Sequence, residues 1–414
     1  MAVDIATGSS VTLAYQEETS YGELPESGTF RFTPLTGESL TFSKDSITSN
    51  NINSTRQVSD VIQTGFSVSG GIEIELAGKT FDEMMEGALW NRWSTSVDED
   101  FSTGELTVVA STRTITSSRS SAPTFQTDLS TGQFVRISGM ADTENEGVFQ
   151  IESITSQTVF RVLDPDSVLT DGASGTSGRL AASMIRNGST PISYVFEKAF
   201  TDLATVQRFS FLGCMVNAFS LSMQSSSIVT GSFDFMGTTS ETYATGTKST
   251  TTIDASVGNN ILNAVSHIGG VRIDSELQSA SDIYFQGIDL SLSNNLRGVQ
   301  AIGTVGNITV SPGQLEATGT MNVYFSDPSM YAKFTGDTEF SLSYEIIDGN
   351  GEGYVFSFPR VTITADDLPT SGNDSDIVEN MTWSAMMSAS TNIAPSITLQ
   401  IDRFYSDYTN VPDA

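Results

Sequence analysis

The chain has 414 residues with 49 acidic against 19 basic side chains, a formal charge of −30, one cysteine and one histidine. Its length exceeds what one hydrophobic core usually serves, so two or three domains are expected. The acidity argues against a protein that grips nucleic acid through clustered Lys and Arg, and the lone Cys214 excludes internal disulfides and cysteine-based metal clusters.

Only 16% of residues are charged, and Ser, Thr, Asn and Gly are abundant, the balance of secreted or viral β structures; 38% hydrophobic residues set in alternation can still bury a core. Residues 1–4 have neither a basic nor an apolar leader region, and no window approaches a membrane span, so synthesis in the cytosol without export is expected.

In chain order, residues 1–36 are a candidate arm. A short strand at 40–42 leads through a long polar stretch, 43–65, to a strand at 68–76 with Ile72, Ile74 and Leu76 on its dry side and Glu73 and Glu75 on its wet side. A helix is expected over 81–90, its start marked by a capping box of Thr80 and Glu83, with Phe81, Met85, Ala88 and Leu89 on one face. Four short strands follow at 106–109, 134–137, 148–151 and 159–162, between Ser/Thr/Gly-rich connectors at 111–121 and 171–178. An apolar run, 209–219, holds Cys214 and continues as Phe219, Leu221 and Met223 around Ser220 and Ser222; 238–252 is linker-like. Beyond it Ile288, Leu290 and Leu292 alternate with Asp289 and Ser291, a polar stretch fills 293–317, and a strand occupies 321–325. Asp327 is a natural N-cap, with Pro328 at the first position of a helix over 328–334. Phe340, Leu342, Tyr344 and Ile346 then alternate with Ser341 and Ser343, and 397–414 is a second candidate arm.

The outer parts repeat. Phe42 to Leu292 is 250 positions, Ile72 to Met321 and Phe81 to Met330 are 249, whereas 192–194 matches 342–344 at 150 and 209–211 matches 356–358 at 147. The drop places about 100 extra residues between Trp93 and Pro191. The expected organisation is a first domain over 1–93 and 191–240, an inserted β module over 94–190, a linker over 241–270, and a second domain with a C-terminal arm over 271–414. The long polar stretches exceed ordinary hairpin loops and are expected to reach a neighbour.

No chemistry stands out. Gly78-Lys79-Thr80 follows a strand and opens a helix, but Glu73 stands where a phosphate-cradling loop needs its first glycine. The run 348–353 resembles the start of a calcium loop, yet Pro359 occupies the twelfth position, so a glycine-rich turn is expected. His267 cannot form a two-histidine zinc site, and Trp90, Trp93, Trp383 and Cys214 read as packing residues. No catalytic, cofactor or metal site is assigned, and the chain is read as a non-enzyme.

Tyr15-Gln16-Glu17-Glu18-Thr19-Ser20-Tyr21-Gly22, the run from Ile47 through Asn50 to Arg56 and Asp60, Gly70-Gly71 leading into Ile72–Leu76, and the helix from Phe81 resemble the tail tube, or major tail, proteins of long-tailed bacteriophages, over about the first 95 residues and again through the repeat. The resemblance implies a mainly β fold: two tandem tail-tube-type sandwich or barrel domains, each with a short flanking helix, plus the small inserted module. It implies stacked rings, six domains each and hence three chains, around a channel for double-stranded DNA that passes without specific binding. Expected partners are further copies, a tape measure protein and terminator or tip proteins; no membrane and no cofactor are expected, and the location is the virion tail, assembled in host cytoplasm. Glu73 and Glu75 are the candidate lumen-facing residues, and Ile47, Asn50, Arg56 and Asp60 the candidate inter-ring arm. The alternatives are a surface adhesin or fibre that binds host glycans and, third, a calcium-dependent polysaccharide hydrolase.

Overall fold

Apolar residues at every second position give this chain strands that bury one side only. In Val61–Glu75, Val68, Ile72 and Ile74 are buried while Ser69 and Glu73 are exposed. The computed structural model describes residues 5–408 apart from 26–28, 53, 120–122, 165, 244–250, 255–259, 279–282, 371 and 389–396, with 243 and 251–254 described by main chain alone. It is mainly β, with a few short helices.

One connectivity occurs twice. In its first occurrence Thr41–Thr48 pairs with Val61–Glu75, that strand with Thr230–Gly237, and that in turn with the second half of Gln207–Gln224, whose first half pairs with Tyr194–Phe200. In its second, Phe285–Ser293 pairs with Glu316–Tyr324, then Val378–Ala385, then the second half of Gly353–Asp367, whose first half pairs with Phe340–Ile347. The irregularities recur too. A bulge falls between Val216 and Ala218 in one long strand and between Ile363 and Ala365 in the other, 147 positions on. Because a bulge breaks the ladder at one defined residue, a shared bulge marks equivalence better than strand composition does.

A second shared bulge fixes the neighbouring strand. Phe196 faces Phe211 and Tyr194 faces Cys214; Leu342 faces Phe358 and Phe340 faces Val361. The match of 209–211 with 356–358 therefore holds, but Tyr194 corresponds to Phe340 at an offset of 146, not to Tyr344 at 150. A shift of four leaves every side chain on its own face, so alternation alone cannot detect it.

Each unit carries a short helix, Asp82–Leu89 and Ser329–Thr335. The expected capping box at the first does not form. Thr80 Oγ1 donates to the Gly78 carbonyl at 3.2 Å, and Glu83 pairs with Arg31 at 2.7 Å, because the start of this helix is buried against other strands rather than open to its own loop. At the second helix Asp327 Oδ1 accepts the Ser329 N–H at 2.6 Å, and hydrogen bonds from the Ser329 side chain and then from this N–H draw its carboxyl below the usual range. That is the contact an N-cap makes, with the helix beginning one residue after Pro328.

The described residues of 94–190 contain seven strands around a hydrophobic cluster of their own, which includes Phe101, Leu106, Ile115, Phe125, Ile137, Phe160 and Leu180. Leu106–Val109 and Val159–Val162 coincide with two expected strands. The stretches read as connectors are instead largely strand. Thr114–Ser117 buries Ile115, and Gly172–Arg186 is fifteen residues long, its small side chains allowing it to pair with Leu106–Val109, Val97–Phe101, Phe134–Met140 and Gln400–Phe404. The terminal segments are not free arms either: Val11–Glu17 pairs with Tyr194–Phe200, and all five residues of Gln400–Phe404 are buried between Gly172–Arg186 and Gly353–Asp367. Within the stretches read as linkers, Thr239–Tyr243, Thr251–Asp254 and Ile268–Ile273 are strands. Residues 244–250 and 255–259 of that reading, 1–4 and 26–28 of the first arm, and 409–414 of the second arm lie outside the described residues.

These segments meet at one buried polar cluster. Asp82 and Arg403 are both fully buried and joined at 2.8 Å. The hydroxyls of Tyr354 and Tyr405 donate to Asp82 at 2.6 and 2.8 Å, Arg403 Nε donates to Ser183 Oγ at 3.1 Å, and the guanidinium lies 4.3 Å from the Trp93 ring centre. Burial, then the Asp82 charge, pushes both phenols well above their ordinary range, which keeps them donors. A helix of the first unit, a strand of the second, the last strand of the 94–190 block and the C-terminal strand are thus tied at one point.

Candidate assembly and lumen faces

The two units share a sheet. Residues 218–224 pair with Thr230–Gly237 on one side and with Phe285–Ser293 on the other, so eight antiparallel strands run in the order 41–48, 61–75, 230–237, 218–224, 285–293, 316–324, 378–385 and 361–367. At the joint, Phe219 faces Leu292, Leu221 faces Leu290 and Met223 faces Ile288 on the core side. On the other side Ser222 Oγ donates to Asp289 Oδ1 at 2.6 Å. Asn294 closes the joint: its buried side-chain amide donates to the Val216 carbonyl at 2.9 Å and to the Ala88 carbonyl at 3.0 Å. The two outermost edges, 41–48 and 362–367, have no strand beyond them among the described residues.

The face away from the core is mostly polar, with Met236, Ala218, Tyr324, Val378 and Ala365 among the exceptions. Alternation puts Ser, Thr and Asn there together with Asp45, Glu73, Glu75, Asp234, Asp289, Glu316 and Asp367, and no Lys or Arg occupies a paired position on it. Glu73 is exposed and Glu75 half-buried. Asp289 accepts from Ser222, from Gln224 Nε2 at 3.1 Å and from Thr320 Oγ1 at 2.8 Å, so its carboxylate is held in place. The structure thus brings Glu73 and Glu75 onto one surface with five further carboxylates. Asp289 carried a signal, since it alternates with Ile288 and Leu290; Asp45, Asp234, Glu316 and Asp367 lie in stretches that read as loop or have no clear alternation.

A family model described as phage tail tube protein matches residues 8–385. The chain belongs to that family. No curated relative matches it. Both units and the 94–190 block of this tail tube protein fall within the matched span, and membership makes the chain a structural component of a phage tail.

The stretch 43–65 of the tail tube protein is a hairpin rather than a loop. Ile47 pairs with Ile62, the Ser49 N–H donates to the Asp60 carbonyl at 2.9 Å, and Asp60 Oδ1 accepts the Val61 N–H at 2.8 Å. Asn50 and Arg56 sit in the connecting tip, Arg56 with a φ of 59°. Ile47, Ile52, Val58, Val61 and Ile62 are all exposed, as are Ile302, Val305 and Ile308 of the matching hairpin Arg297–Gln300 and Asn307–Ser311. Two adjacent hairpins with this much open aliphatic surface are unusual for an isolated soluble domain. They touch each other: Gly306, at φ 91°, lies against the Phe66 ring, where a Cβ would come within 2.7 Å.

The remaining sequence candidates fall elsewhere. Lys79 donates its N–H to the Tyr405 hydroxyl at 3.0 Å, so the 78–80 segment is packed against the C-terminal strand. Residues 348–352 form a turn in which Asp348 Oδ1 accepts the N–H groups of Asn350 and Glu352. Cys214, Trp90, Trp93 and Trp383 are buried. His267 lies within hydrogen-bonding distance of the Asn263 amide. Among the described residues no three His, Cys, Asp or Glu side chains converge as a metal site, and no helix is long and apolar enough to cross a membrane.

Proposed function

We propose that this chain is the repeating subunit of a phage tail tube, in which three copies close a pseudo-sixfold ring, rings stack through the hairpins, and the acidic face lines a channel for double-stranded DNA. The observation that carries the reading is the eight-stranded sheet with an unpaired strand at each edge. Eight strands from each of three chains would make a barrel of twenty-four, and closure is the way to remove edges that otherwise invite aggregation. A Ser/Thr surface bearing only negative charge suits a polymer with one charge per ~1.7 Å, which must slide without adhering. On this reading 1–93 with 191–240 and 271–414 are the two tube domains, 94–190 is a module on the outside, and the tube ends meet tape measure and terminator or tip proteins. Assembly in the host cytoplasm follows.

Electron microscopy of purified protein at high concentration tests the reading: hollow rings or tubes with three chains per layer are expected, six chains per layer would refute the pseudo-sixfold ring, and a monomer under all conditions would refute the tube. The channel is tested by reversing Glu73 and Glu75 to Lys. Tubes should still form, and short duplex DNA should be retained by variant tubes with an affinity that falls steeply with salt, while wild-type tubes retain none. Variant tubes that ignore DNA at low salt would remove these residues from the lumen.

A further inference from the structure

The joint inside the chain is a template for the joint between chains. Equivalent bulges relate Ala218 to Ala365 at 147 positions. Equivalent pairings relate Phe42, facing Val68, to Leu292, facing Ala317, and Gly37, facing Glu73, to Gly287, facing Asn322, both at 250. In the internal joint Ala218 faces Ser293 and Leu221 faces Leu290. Applying both offsets sets Ala365 of one chain opposite Ser43 of the next, Asp366 opposite Phe42, Asp367 opposite Thr41 and Leu368 opposite Leu40.

Two observations independent of register mark this edge as unfinished. The internal joint covers the first helix, through the bond from Asn294 to the Ala88 carbonyl, whereas Tyr331 of the second helix is exposed, as are Tyr324 and Phe325 just before it in the chain. More specifically, Asp366 replaces the apolar Phe219 on the core side of the edge strand, and next to it lies Glu379, 1% exposed. Both Asp366 oxygens and Glu379 Oε1 are buried without a hydrogen-bond partner. Burial, then the neighbouring Asp366, holds Glu379 well above the usual carboxylate range, and Asp327 adds to the repulsion. Even with one proton shared between Asp366 and Glu379, one buried negative charge is left without a cation. The opposite edge has one: Lys44 lies on the core side with Phe42, is exposed, and makes no ion pair among the described residues. It occupies the position of Asn294, the residue whose amide closes the internal joint.

We propose that the 365–368 edge pairs with residues 40–43 of a second copy of this chain in that single register, and that Lys44 of the incoming chain is the cation for Asp366 and Glu379. Asp366 faces Phe42, so Lys44 is its diagonal cross-strand neighbour, within reach of a long side chain. The proposal rests on the tube reading and adds to it a register and a charge pair.

Cysteine pairing tests the register. Ser43 and Ala365 are exposed on the face away from the core, and the native Cys214 is buried. The double variant Ser43→Cys, Ala365→Cys, assembled and oxidised, should give covalent closed trimers on a non-reducing gel. Moving the first cysteine two residues, with Thr41→Cys or Asp45→Cys beside Ala365→Cys, should cut the yield at least tenfold. Lys44→Glu should leave the thermal midpoint of the monomer unchanged and raise the critical concentration for assembly at least tenfold, and adding Asp366→Asn with Glu379→Gln should recover most of that loss. Wild-type rings combined with cross-linking only at a shifted pair, or with indifference to Lys44→Glu, would overturn this joint and leave the tube reading standing. Failure of the wild type to assemble at all would overturn the tube reading and the joint with it.

Discussion

Arg403→Met is expected to cost the isolated chain about 3–5 kcal/mol of folding stability, because it leaves the Asp82 carboxylate fully buried without its cation. Tyr354 and Tyr405 would still donate to Asp82, but two phenols do not neutralise a charge. The guanidinium also lies over Trp93 and bonds Ser183, so packing is lost along with charge. Removing both charges, in Asp82→Leu with Arg403→Met, should be much less harmful than the sum of the single changes, since an apolar pair of similar volume avoids the desolvation cost altogether. Denaturant unfolding of the monomeric single and double variants measures this. A loss below about 1 kcal/mol for Arg403→Met would mean that the cluster does not hold the helix, the 94–190 block and the C-terminal strand together.

Replacing residues 49–60 with Asn-Gly is expected to abolish tubes while single rings persist. A two-residue turn can close the Thr48 and Val61 pair without disturbing the ladder below it. The replacement removes the exposed Ile52 and Val58 together with Asn50, Arg56 and Asp60, none of which is buried in the chain's own core, so the thermal midpoint of the monomer should hardly move. The edge proposed for ring closure, residues 40–44, is untouched. Negative-stain images and sedimentation would therefore separate the two contacts. Normal tubes from this variant would show that the hairpin tip does not join rings.

The β character, the wet and dry faces, the packing roles of Cys214 and the three tryptophans, and the offset of 147 between the long strands are legible in the sequence, because alternation at period two is written residue by residue and needs no distant partner. The sequence resembles a tail tube protein on local motifs, and the match over residues 8–385 bears that out. What depended on remote contacts was not legible. A register slip of four is silent in the alternation, so the sequence repeat sets Tyr194 against Tyr344 where the shared bulge aligns it to Phe340. Thr80 and Glu83 have the spacing of a capping box, but Arg31, more than fifty residues earlier, takes Glu83. Residues 171–178 have a connector's composition, yet they open the strand Gly172–Arg186, because four other strands offer it hydrogen bonds. Glu73 and Glu75 were visible as wet-face acids, yet only the eight-stranded sheet gathers them with Asp234, Asp289 and Glu316. Asp82 and Arg403 stand 321 positions apart, and no local pattern marks either one. Pairing across such distances is decided by which buried groups remain unsatisfied once the strands are stacked, and that information exists only in the folded chain.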